Sequence, residues 1–195
     1  MPSTVGHSLL GLTLGVACLV PRGRPAHWRD WLRDNRGALL ATVIAANACD
    51  LDYLPGLLIG APNLLHRWLG HSALWAALAG CVVWLLWRRS AGRLPRWALP
   101  VVLAAALSHV FADYSDEDTR APFGILALWP LHNEFMIAAH PVFWSLDKSS
   151  LAALCSLHNA RTVLHELLLT LPPFLAVLFY KLRPLRHDAA PTPAS

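Results

Sequence analysis

Apolar runs punctuated by arginine clusters set the strongest limit on how this chain folds. Five runs, at residues 5–20, 38–51, 69–87, 97–113 and 163–182, are long enough or nearly long enough to cross a bilayer core, which takes about 20 residues of helix. A backbone in lipid must satisfy its N–H and C=O groups internally, and a continuous apolar run does so as a helix. Composition agrees: 14% of residues are charged and 55% hydrophobic, against about 25% charged in a soluble domain. Nine tryptophans and fifteen prolines also suit spans with interfacial anchors. The expectation is an all-α polytopic membrane protein with about five transmembrane helices, the last kinked at Pro172 and Pro173. Two shorter runs, 123–131 and 135–146, are broken by Pro130 and Pro141 and read as short interfacial or re-entrant helices. Residues 1–182 form one domain in this reading, and 183–195 a disordered cytoplasmic tail.

The net charge of +4 is clustered. Arg22, Arg24, Arg29, Arg33 and Arg36 form one group, Arg88, Arg89, Arg93 and Arg96 a second, and Lys181, Arg183 and Arg186 a third. Each borders an apolar run, which marks cytoplasmic sides and not a nucleic-acid surface. The first run lacks a basic stretch before it, so it reads as a retained helix and not a signal peptide. Five crossings then connect without conflict, with the N-terminus outside and the C-terminus in the cytoplasm of a bacterial inner membrane. Cys18, Cys49, Cys81 and Cys155 are scattered and suggest neither a zinc knuckle nor a disulfide framework.

The same topology brings His7, Asp50, Asp52, His66, His71, His109 and Asp113, with residues 114–162, to the outer side. Nothing in the charge rule requires these groups to converge. Ionisable residues in apolar surroundings are costly unless paired or bound. His109 and Asp113 are four apart, on one face of a helix. Asp50 and Asp52 precede Pro55 and Gly56, where a helix passes into a turn, and two close carboxylates repel each other unless a cation or a proton intervenes. His66 and His71 are five apart and do not share a helical face. Nitrogen and oxygen donors without thiolate fit Zn²⁺, with Mn²⁺ or Fe as alternatives. Seven candidates exceed the needs of one tetrahedral ion, so a carboxylate-bridged two-ion centre stands open beside a single ion.

The segments "GHSLLGLTLG", "ANACDLDYLPGLLIGAPNLLHRWLGHS", "LSHVFADYSDEDTRAPFGILALWP" and "LCSLHNARTVLHELLL" together resemble the YdjM-type family of membrane-bound metal-dependent hydrolases, from about His7 to Leu182. The resemblance implies metal ligation by His7, Asp50, Asp52, His66, His71, His109 and Asp113. It implies a site-shaping role for Thr119, Pro122, Gly124, Trp129 and Pro130. Cys49 stands where the family usually has proline, and Trp68 where it has glycine, with Gly70 shifted to just before His71. The family is also distantly similar to zinc-dependent phospholipase C and single-strand nucleases. Their later HxxxE pair has no counterpart here, because Glu134 and Glu166 lack a histidine four residues earlier.

The leading expectation is a hydrolase that acts on a phosphoester or lipid-like substrate through metal-activated water. Asp50, Asp52 and His71 are its candidate catalytic residues, and Arg67 and Arg120 its candidate anion holders. The alternatives are an ion- or proton-handling transporter and a non-catalytic protein stapled by a structural metal. Few spans and no internal repeat count against transport. Glu166 is the remaining carboxylate best placed to join the site; His132 and His140, in the outer region, are further candidate ligands, while His158 and His165 read as helix-end or supporting groups.

Overall fold

The computed structural model describes residues 2–59, 69–91, 95–119, 121–148 and 150–183. It is all-helical in its regular structure. Helix α1 spans Thr4–Leu19, α2 Trp28–Asn47, α3 Tyr53–Leu58, α4 Ala73–Ala91, α5 Leu99–Tyr114, α6 Leu151–Leu154 and α7 Leu157–Leu182. Single 3₁₀ turns at Ala48–Asp52, Leu69–His71 and Arg96–Ala98 lead into α3, α4 and α5.

Small residues decide how the bundle closes. Gly11 and Gly15 lie one helical turn apart on α1 and face α2. A Cβ at Gly11 would sit 2.6 Å from the Thr42 carbonyl oxygen, and one at Gly15 2.5 Å from Thr42 Oγ1. Lipid tails are as apolar as leucine, so spans associate through such close backbone packing. The core continues through Ala41, Ala45, Ala76, Ala105 and Ala106, all fully buried, so α2, α4 and α5 also pack closely. Helix α7 packs on α1 and leaves Leu164, Leu168, Leu175 and Phe179 exposed, as a lipid-facing surface requires.

Among the described residues, three segments are long and apolar enough to cross a membrane: Trp28–Pro55, Arg96–Tyr114 and Leu157–Leu182. Helix α1, with 16 residues, reaches about 24 Å at 1.5 Å per residue, short of a bilayer core of about 30 Å. Helix α4 has the length but carries Arg88 and Arg89 in its last turn. The second helix starts at Trp28, not near residue 38. Its arginine-rich beginning is helical because Asp30 and Arg33 pair at 3.0 Å one turn apart and Asn35 Nδ2 donates to the Trp31 carbonyl at 2.8 Å. Helix α7 runs through Pro172 and Pro173 without interruption.

The expected short helices at 123–131 and 135–146 do not form. This stretch is an irregular cap with its own bonding pattern. Ile125 and Met136 exchange backbone hydrogen bonds of 3.0 and 2.9 Å. Ala138 N–H donates to the Tyr114 carbonyl, and Val142 and Phe143 N–H to that of Ser115, which satisfies carbonyls left open at the end of α5. The Ala127 carbonyl accepts the Ala73 N–H at the start of α4. Gly124 lies at φ +91°, with its N–H donated to Asp118 Oδ2, so the turn needs glycine. Prolines at 122, 130 and 141 withhold the donors a helix would need. The cap thereby ties together the two helix ends that carry His71 and Asp113.

Candidate metal centre

Antiparallel helices place four chain segments at one end of the bundle: the start of α1, the end of α2, the entry to α4 and the end of α5. Each supplies donors. His7 lies in the first turn of α1, which Ser3 caps by accepting the N–H groups of Val5 and Gly6. Asp50 lies in the 3₁₀ turn after α2, His71 closes the turn before α4, and His109 and Asp113 share one face of α5.

Their functional atoms meet around one point. Asp113 Oδ2 is 3.2 Å from both His71 Nε2 and His109 Nε2, and Asp113 Oδ1 is 3.4 Å from His7 Nε2. Asp50 Oδ1 is 3.6 Å from His71 Nε2 and 3.7 Å from His109 Nε2. The His7 and His109 rings stack at 3.8 Å between centroids. Donors held about 2.1 Å from one ion stand roughly 3.0–3.4 Å from their neighbours in octahedral or tetrahedral arrangements, so the Asp113 contacts match the edges of a coordination shell and the Asp50 contacts lie slightly wider.

Burial makes the fit stronger. The side chains of His71, His109 and Asp113 have no exposed surface, and that of His7 only 1%. Among the described residues, both nitrogens of His7, Nε2 of His109 and both carboxylate oxygens of Asp113 have no hydrogen-bond partner. Buried polar atoms are nearly always satisfied, so a cluster of orphans aimed at one another is what a cation would complete. Among the described residues, two groups of three donors have the proximity needed to hold an ion: His7, Asp50 and His109, and His71, His109 and Asp113.

The supporting contacts aim the rings. His109 Nδ1 donates to the Ala46 carbonyl at 2.8 Å, which leaves Nε2 to face the centre. His71 Nδ1 contacts Asp52 Oδ2 at 2.9 Å, with the same consequence. Asp52 therefore supports His71 from the side, instead of facing the centre beside Asp50. Residues two apart in a 3₁₀ turn point in different directions, and this separates the two carboxylates. Gly70 explains itself here, since a Cβ would meet Asp52 Oδ2 at 2.5 Å. Cys49, next to Asp50, is fully buried in the alanine core.

Other sequence candidates fall elsewhere. His66, Arg67 and Arg120 lie outside the described residues. Glu166 does not face the centre. Its Oε1 accepts the Ser3 N–H at 2.7 Å and its Oε2 the Ser3 hydroxyl at 2.6 Å, in space that Gly6 leaves open. It thereby fastens α7 to the start of α1, one turn from His7. His158 Nε2 donates to the Ser145 carbonyl, His165 stacks on Trp144 at 4.1 Å, and His132 pairs with Glu134 at the surface. His140 is exposed.

Fold and site together define an all-helical membrane protein with a buried histidine–aspartate cluster whose donors are close enough together to hold a metal ion. The chain belongs to the family of the YdjM inner membrane protein, whose model matches residues 1–185. No curated protein and no solved structure matches it.

Proposed function

We propose that the chain is a membrane-bound metal-dependent hydrolase that acts on a phosphoester or lipid-like substrate. The observation that carries the reading is the convergence of buried, hydrogen-bond-orphaned donors on His7, His109 and Asp113 beside one partly open carboxylate, Asp50. His7, Asp50, His71, His109 and Asp113 would hold one divalent ion, with zinc the first expectation and manganese or iron the alternatives. When bound, such an ion makes water a better nucleophile and polarises an ester oxygen. The protein does the rest. Asp52 and the Ala46 carbonyl orient the two imidazoles, and the burial of His7, His71, His109 and Asp113 keeps bulk water away from them. Asp50, 24% exposed, forms the mouth, where it accepts the proton lost by the attacking water and returns it to the leaving oxygen.

The accompanying topology has five crossings, with α1 and α4 completing the three longer spans, the N-terminus outside and the C-terminus in the cytoplasm. Residues 1–182 act as one domain. This is supported by the placement of Arg88, Arg89, Arg96 and Lys181 at the end of the bundle opposite the donors. A second reading, a metal that only staples short helices, draws on the near-complete burial of four of the five donors. Assays of phosphodiester cleavage and lipid-headgroup release separate the two. Metal-loaded wild type should turn over, and Asp50→Asn should lose roughly 10²-fold or more of the rate. Full metal occupancy with no turnover on any phosphoester would favour the staple.

A further inference from the structure

We propose that Lys148, held by Tyr53 at the rim of the metal centre, binds the anionic oxygens of a phosphate ester as it approaches Asp50; this rests on the hydrolase reading above. Asp50 is the only donor of the centre with appreciable side-chain exposure, so the substrate enters on its side. Tyr53 follows Asp50 by three residues, where the 3₁₀ turn passes into α3, so the two project in similar directions. Tyr53 also lies within electrostatic range of Asp50 and Asp52.

Lys148 reaches this rim from the far side of the cap. Its Nζ donates to the Tyr53 hydroxyl at 3.3 Å and lies 5.3 Å from the ring centroid. Its backbone is anchored through Asp147, whose N–H and carbonyl are both bound by the Asn159 side chain at 2.8 Å. Among the described residues Lys148 has no carboxylate in ion-pair contact. A half-buried ammonium with a neutral phenol as its polar partner has donors left over and no counter-charge. The chain has only one other lysine, Lys181, at the opposite end of the bundle. Lys148 shares the acidic end with the exposed Arg161 of α7 and is the half-buried cation there, held by Tyr53. It complements a substrate that brings its own negative charge to a centre already rich in carboxylate.

Calorimetric titration of inorganic phosphate into the full-length, metal-loaded protein tests this, with metal content measured in each sample. Wild type should bind phosphate, Lys148→Ala should bind it about tenfold more weakly or worse, and Lys148→Arg should stay within a few-fold, all three with equal metal content. Competition by nanodiscs of phosphatidylcholine with and without phosphatidylglycerol identifies the source. Displacement by the anionic lipid assigns a headgroup, undisturbed binding assigns a soluble phosphoester, and either upholds Lys148 as the anion holder. Equal phosphate affinity in metal-loaded Lys148→Ala, no phosphate binding by loaded wild type, or loss of metal in Lys148→Ala would overturn it. Wild type that takes up no metal would instead defeat the hydrolase reading, and this inference with it.

Discussion

At the scale of single residues, the proposed centre separates atoms that would face an ion from atoms that aim the candidate ligands. Asp113 contacts three imidazoles, whereas Asp52 contacts His71 on the nitrogen turned away from the centre. Their substitutions should differ in kind. Asp52→Ala should weaken metal affinity by about 10–100-fold while leaving a measurable site, as loss of an orienting carboxylate does elsewhere. Asp113→Ala should remove tight binding altogether, and metal titration of the two variants reads the contrast directly. The sequence shows the HxxxD pair clearly, because four-residue spacing on a helix is a local property. It does not show which of Asp50 and Asp52 faces the ion. That depends on the pitch of one 3₁₀ turn and on the room left by Gly70, eighteen residues away.

At the scale of elements, the site depends on how closely α1 lies against α2. Gly11 has no space for a side chain, and His7 is one turn away on the same helix. Gly11→Val should push the helices apart, costing about 1–3 kcal/mol of stability, and should lower metal affinity although residue 11 touches no donor. Denaturation and metal titration of the purified variant check both effects. Local patterns locate α1, α4, α5 and α7 well, since their apolar runs carry the signal. They miss the first ten residues of α2, where arginines and aspartates hide a helix held by i,i+3 pairing and a side-chain bond. They also misread residues 123–146, whose order comes from backbone bonds to the ends of α4 and α5, far away in sequence. The Ser3–Glu166 contact, between opposite ends of the chain, has no local signature either.

At the scale of the whole molecule, four helix ends converge on one cluster, so an ion there would join them in one step. Binding to the folded state alone stabilises it by about 2.7 kcal/mol at a free ion concentration 100 times Kd. Added Zn²⁺ should therefore raise the Tm of metal-stripped wild type and leave His109→Ala unmoved. The gain should shrink as the pH falls into the imidazole titration range, because ligation requires neutral rings and protons compete for them. A thermal-shift series across pH measures this. The convergence itself is legible in the sequence through the sidedness of the arginine clusters, which brings the histidines and aspartates to one end before any contact is known.

The most direct test of the metal centre is elemental analysis of detergent-purified protein, with wild type beside His109→Ala and Asp113→Ala. The centre predicts about one transition-metal ion per chain in wild type, retained through purification, and close to none in either variant. Wild type that purifies without bound metal and takes up none on titration would contradict it.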